Sequence, residues 1–334
     1  MLTGYGLSAY SHNVAVSRSD RIRFEAGSPQ FRRKKIKIKM DNLRYDYDPI
    51  VTRNKLEWPN NARVALWVCP NIEYFHIDKP IMESPNPTVP EISAYSLRDY
   101  GSRVGVFRMM EVFDKHGIRG SVLLNSDVCE RNPFIIDEGK KRDWEWLGHG
   151  VTNNLRITSY PQSEERELIR KVKETITRAI GKPPKGWLGP ALAETFNTPD
   201  HLAAEGFEYL CDWVCDDQPV PMRVRQGRML VVPYDQGLND IRVFMRGNHT
   251  PAEYCQMLCD QFDTLYREGE KSGRVMGIPL HPFVIGLPFR IKYLDKALEY
   301  IVSHEGVWRA TGWEIADWYY RHYYVDPGKL PVEP

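Results

Sequence analysis

Arg274-Val275-Met276-Gly277-Ile278-Pro279-Leu280-His281-Pro282-Phe283 reads as an apolar strand that stops at an imidazole, with a proline fixing the exit. The pattern recurs at Val64–Val68, followed by Glu73, and at Trp146-Leu147-Gly148, followed by His149. Each time a hydrophobic segment ends in an ionisable group at a Gly- or Pro-bounded turn. Parallel β/α architectures put reactive groups at the C-terminal ends of strands. Three such endings predict one shared site and an enzyme.

Outward from these segments the chain alternates short apolar runs with longer amphipathic ones. The runs are Val64–Val68, Gly120–Leu124, Trp146–Gly150, Gly186–Gly189, Tyr209–Val214, Met229–Pro233 and Arg274–Leu280. Helical periodicity covers Leu97–His116, Gln162–Ile180, Pro199–Gly206, Pro251–Glu268 and Phe289–His304. Thr250-Pro251-Ala252-Glu253 reads as a capping box with proline at the first helical position. Gly117, Gly181 and Gly206 stand where helices end. The alternation predicts a parallel α/β sheet, and closure into a barrel would cover both of its edges. We expect one catalytic domain over about residues 60–320, a segment 40–59 wrapped on its surface, and a tail over 321–334.

The 334 residues suffice for a substantial core, and 45 basic against 44 acidic side chains give no global case for nucleic acid. No apolar run approaches the roughly 18–20 residues of a membrane span. Met1–Lys39 is different, with nine Arg/Lys against two Asp/Glu, but it has no apolar core of the secretory type. It reads as a solvated, disordered basic arm or as sequence ahead of a start at Met40, with an organelle-targeting arm as the alternative. Cytoplasmic residence is the default expectation. Six cysteines in a chain this long do not make a secreted framework. The pairs Cys211/Cys215 and Cys255/Cys259 lack zinc-ribbon spacing and read as free thiols.

Glu73 in Cys69-Pro70-Asn71-Ile72-Glu73-Tyr74-Phe75 suits a general base acting on water, with Asn71 to orient it or to bind substrate. His149 lies between two glycines that let the backbone turn tightly toward a ligand. His281 suits a general acid to a leaving amine. Trp187 offers an aromatic wall, and Cys211-Asp212-Trp213-Val214-Cys215-Asp216-Asp217 crowds three carboxylates beside another tryptophan. Trp213, Asp216 and Asp217 are therefore taken as pocket residues. No phosphate-binding loop, dinucleotide fingerprint or nucleophile elbow occurs in its required setting, so water attack is favoured over covalent catalysis. The aromatic C-terminus, from Trp308 to Tyr324, reads as a last amphipathic helix, with an oligomer interface as the alternative.

From about Asn61 to Trp318, these motifs in this order resemble the polysaccharide deacetylase superfamily, the NodB-homology or carbohydrate esterase family 4 fold. Leu-His-Pro-Phe-Val-Ile-Gly-Leu-Pro-Phe-Arg from Leu280 is especially similar to the allantoinase-like branch. The resemblance implies a distorted (β/α)7 barrel. In metal-dependent members a Thr-Phe-Asp-Asp motif supplies the base and a metal ligand, and two histidines four residues apart supply two more. Here Glu73 takes the base position, Tyr74 replaces the ligand aspartate, His149 keeps the first histidine and Asn153 stands where the second belongs. Leu188-Gly189-Pro190 matches an Arg-x-Pro segment with the arginine lost, and His281 matches the late catalytic histidine.

One imidazole, a phenol and a carboxamide are a poor zinc shell, so the resemblance implies no tightly bound catalytic metal and no cofactor. Other groups must then stabilise the oxyanion, with His149, His281, Asn153, Asn154 and turn N–H groups as candidates. The expected reaction is hydrolysis of a non-peptide carbon–nitrogen bond in a small amide, ureide or imide, with Tyr74, Asn153 and Asn154 among the substrate contacts. The resemblance also implies a homo-oligomer. N-deacetylation of a polysaccharide, or loss of catalysis in a ligand-binding descendant, are the rival expectations.

Overall fold

The computed structural model describes residues 42–81 and 88–329. The basic leader, and every reading of it, lies outside the described residues.

The fold is an α/β half-barrel of mostly parallel strands. Its strands are β1 (Val64–Ile72), β2 (Ser121–Leu124), β3 (Glu145–Gly148), β4 (Gly186–Trp187), β5 (Tyr209–Leu210), β6 (Val220–Met222), β7 (Met229–Val231), β8 (Arg274–Leu280) and β9 (Val307–Arg309). The order is β6-β7-β5-β4-β3-β2-β1-β8, with β9 also pairing β1, and only the β6–β7 pair is antiparallel. All seven apolar runs contain a strand. The short β6 and β9 carry no comparable run and escape sequence reading.

The ladder does not close. Among the described residues β8 and β7 are joined by no strand pairing, and β7 offers only three residues at that seam. Single contacts bridge the seam: Val275 N donates to Asp217 O (2.8 Å), and Trp67 Nε1 donates to Pro233 O (3.0 Å). Gly277 permits this approach, since a Cβ there would stand 3.2 Å from Pro233 O.

Pleating sorts each strand's side chains between two apolar layers. Ala65, Trp67, Cys69, Leu123, Leu147, Leu188, Tyr209, Leu230, Val232 and Val275 fill one cluster, inside the curved sheet. Val64, Leu66, Val68, Val122, Leu124, Trp146, Trp187 and Leu210 join the other, under the helices. The helix Val106–His116 ends at Gly117 (φ 60°) and Gln162–Ile180 at Gly181 (φ 88°), both in the left-handed conformation that glycine adopts without strain. The Thr250–Glu253 capping box forms at the start of the helix Pro251–Gly269. The last helix, Gly312–His322, buries Ile315 and Ala316 in the inner cluster, and its Trp318 Nε1 donates to Glu57 O (2.9 Å).

Register decides where the chemistry lies. Ile72 pairs Leu124, Leu124 pairs Gly148 and Gly148 pairs Trp187, so Glu73, Asn125, His149 and Leu188 follow in one row. On the other side Pro70 pairs Leu280, which brings His281 to the same end of the sheet.

Candidate active site

Glu73, His149 and His281 meet. Glu73 Oε1 lies 3.4 Å from His149 Nε2 and 3.7 Å from His281 Nε2, and accepts a hydrogen bond from Asn153 Nδ2 at 2.7 Å. The side chains of Glu73 and both histidines are at most 5% exposed. Burial alone would raise the Glu73 carboxyl, but His281, His149 and Arg98 together outweigh it and hold the group below the ordinary carboxylate range. Glu73 is therefore ionised near neutral pH. Its second oxygen, Oε2, is buried without a hydrogen-bond partner among the described residues. A buried orphan acceptor costs about 1–3 kcal/mol, so such an atom calls for a functional explanation. A proton donor such as a reacting water supplies one.

Both imidazoles are oriented from behind. His149 Nδ1 contacts Leu188 O at 2.6 Å, and a carbonyl only accepts, so Nδ1 carries the proton and Nε2 is presented to Glu73. His281 is held twice by Asp240, which accepts from Nδ1 at 2.6 Å and from the backbone N–H at 2.8 Å. Asp240 is fully buried. Asn125, at the end of β2, clamps two neighbouring strand ends: its Nδ2 donates to His149 O and its Oδ1 accepts from Tyr74 N.

The group opens into a cavity of about 380 Å³ whose lining includes Asn71, Asn153, Tyr234, Asn239, Arg156, Arg242 and Arg246. Tyr234 OH accepts from Asn71 Nδ2 (3.3 Å) and Asn239 Nδ2 (3.2 Å), and gives its own proton to no acceptor among the described residues. Burial pushes its phenol well above the usual value, so the hydroxyl stays a donor. Ala191 and Leu192 line one wall in left-handed backbone (φ 59° and 56°), a strained state for non-glycine residues that clusters at functional sites. A second depression, about 630 Å³, lies along Gln162–Ile180 among charged residues and contains none of these groups.

Six expected contacts lie elsewhere. The Tyr74 ring packs against His76 (5.0 Å) and Arg131, because pleating turns it away from Glu73. Asn154 is spent on backbone, donating to Pro80 O and accepting from His76 N. Trp187 faces the helix layer against Phe207, opposite in pleat to Leu188. Trp213 donates to Glu194 Oε2 (2.8 Å) and meets the Tyr45 ring. Asp216 forms an ion pair with Arg53, and Asp217 lies at the β8 seam. Of the polar pocket residues expected, Asn71 and Asn153 line the cavity. Sequence reading missed Asp240, Tyr234, Asn125 and the three arginines.

The donors do not suit a zinc-type ion. Asn153 turns its amide nitrogen toward Glu73, where a metal would need a lone pair, and the Tyr74 ring points away. Among the described residues no cluster of three His, Cys, Asp or Glu side chains is arranged to hold a metal.

No family model matches the sequence. The chain is 29% identical over 306 residues to a Schizosaccharomyces pombe protein assigned as a polysaccharide deacetylase, covering 80% of this chain and 93% of that one. It is 26% identical over 255 residues to the peptidoglycan deacetylase of Helicobacter pylori, covering 65% and 84%. Among solved structures, PuuE allantoinase matches with a TM-score of 0.73 and 29% identity, covering 82% of this chain and 96% of that one. A Pseudomonas aeruginosa PAO1 protein assigned as a polysaccharide deacetylase matches with a TM-score of 0.72 and 28% identity, covering 81% and 95%. The relatives are deacetylases and an allantoinase. Among the described residues no helix is long and apolar enough to cross a membrane.

Proposed function

We propose that this chain hydrolyses an amide-type carbon–nitrogen bond in a small ureide, cyclic imide or N-acyl compound, without a catalytic metal. One observation carries the reading: a buried, ionised Glu73 with an unspent oxygen, flanked by two imidazole Nε2 atoms on the floor of one cavity.

In this mechanism Glu73 Oε2 takes a proton from water as the water oxygen bonds to the substrate carbonyl carbon. Asn153 fixes the other carboxylate oxygen and so aims the base. Negative charge develops on the carbonyl oxygen, and the Tyr234 hydroxyl is the donor positioned to meet it, with His149 Nε2 as a second when it carries a proton. His281, as an imidazolium stabilised by buried Asp240, gives its Nε2 proton to the leaving nitrogen as the C–N bond breaks. The proton on Glu73 then returns to His281, leaving a carboxylic acid and an amine. Fixed dipoles in a closed site can stabilise an oxyanion as a metal would, each donor contributing about 3 kcal/mol.

The names of the sequence relatives favour a second reading, N-deacetylation of a glycan. A panel of allantoin, hydantoin, succinimide, N-acetylglycine and chitooligosaccharide, with and without chelator, separates the two. Turnover of a small compound, unaffected by chelator and abolished in Glu73→Gln, is expected. Turnover confined to the glycan, or lost on chelation, refutes the first reading.

A further inference from the structure

We infer that the substrate carries a carboxylate, received by a guanidinium rim formed by Arg156, Arg242 and Arg246. The inference rests on the hydrolase reading and adds its substrate class.

The cavity's lining holds three arginines and one carboxylate. That carboxylate, Glu73, sits on the floor, nearly sealed from solvent and bound by Asn153. The arginines are exposed and so stand at the mouth. Arg242 and Arg246 are one turn apart on the helical segment Ile241–Arg246, which begins directly after Asp240. Arg156 comes from the loop that follows His149. The charges are therefore tied, in sequence and in space, to the groups that hold the two imidazoles.

The guanidinium groups of Arg156 and Arg242 make no hydrogen bond or ion pair with any described residue, their hydrogen bonds being backbone ones to Ser159 and Gly247. Many arginines elsewhere are committed to carboxylates, Arg44 to Asp200, Arg53 to Asp216, Arg119 to Glu314, Arg142 to Glu138 and Asp114, and Arg228 to Glu208. Guanidinium groups at the mouth of a polar cavity match the planar fork of a carboxylate. A carboxylate anchored at the rim leaves the scissile carbonyl free to reach the floor. A neutral glycan makes no use of these charges.

The test is calorimetric titration of the full-length Glu73→Gln protein with matched pairs: N-acetylglycine against N-acetylglycinamide, and hydantoin-5-acetate against hydantoin-5-acetamide. N-acetyl-phosphoethanolamine serves as the phosphate arm. In at least one pair the carboxylate is expected to bind about tenfold tighter than its carboxamide, a preference that weakens with salt. Arg242→Ala with Arg246→Ala should bring that ratio toward one, and the corresponding Lys variants should restore part of it. These side chains are exposed, so the variants are expected to fold. Equal binding within every pair, a preference that survives in the Ala variant, or tighter binding of the phosphate compound each overturns the inference. Wild-type turnover of the neutral member as fast as its carboxylate would also overturn it while sparing the hydrolase. Carboxylate selectivity in a protein that turns over nothing would spare the rim and sink the hydrolase.

Discussion

Asp240→Asn isolates the group behind His281. The two Asp240 oxygens accept two different protons, one from His281 Nδ1 at 2.6 Å and one from His281 N at 2.8 Å. Asparagine offers one acceptor oxygen and one donor NH2, so it can satisfy only one of these donors. If its oxygen faces the backbone, the NH2 meets Nδ1, and the ring must take the other tautomer with its proton on Nε2. If its oxygen faces the ring, a buried backbone N–H is left opposite another donor, at a cost of about 1–3 kcal/mol. In both cases the imidazolium loses its buried counter-charge. A well-positioned acid or base contributes roughly 10²–10⁴ in rate, and we expect kcat/KM on the best substrate of the panel to fall within that range. Imidazole 15N NMR reads the tautomer directly. In the neutral form of the ring the wild type should show the proton on Nδ1 of His281 and the variant a shift of that population to Nε2. Circular dichroism checks that the fold persists. A variant within about threefold of wild-type kcat/KM and with an unchanged imidazole spectrum would refute the role given to Asp240.

Tyr234→Phe removes one oxyanion donor and should lower kcat by about 10²-fold with little change in KM, which steady-state kinetics decides. Glu73 is held below its ordinary range, so the midpoint of a 13C-labelled Glu73 carboxyl should fall below that of a free glutamate side chain, and a midpoint above it would contradict the two-imidazole environment. Glu194 is pushed up to about 7 by burial, against hydrogen bonds from Trp213 and Asp212 that pull it down, so the native state binds the extra proton between about pH 4.5 and 7. The stability this contributes is fully present below that window and is lost as pH rises through it. Glu194→Gln, which imitates the neutral acid, should therefore gain on wild type with rising pH, by at most about 3 kcal/mol across the window in urea melts. A constant difference would refute it.

The sequence made the strand ends legible because each joins an apolar run to an abrupt polar stop, and both features are local. Register was not written in any single segment, yet Glu73, His149 and His281 fall together because each lies just beyond the last paired residues of adjoining strands. Trp187 shows the limit of that logic. In a two-residue strand there is no alternation to read, so the pleat that sends Leu188 inward and Trp187 toward the helices could not be assigned from composition. Asp216 and Asp217 failed for a related reason: crowded acids signal a loop, but not which basic partner the loop meets.

Asp240, Tyr234, Arg242 and Arg246 come from one stretch, residues 232–246, that follows a three-residue strand and carries neither helical nor strand periodicity. Such segments give no pattern, yet a loop that runs into a short helical turn can present donors from several directions to a floor built by rigid strands. The division has a physical basis. The floor requires groups whose ionisation is set by burial, and rigid strand ends supply that. The mouth requires charges at the surface, and its arginines lie where no apolar periodicity would mark them. One sequence sign of the second class is nonetheless present: Asp240, Arg242 and Arg246 alternate charge with the buried apolar residues Ile241, Val243 and Phe244. That short amphipathic turn anchors its apolar side in the core and can carry both the buried acid that holds the catalytic imidazole and the cations that select what reaches it.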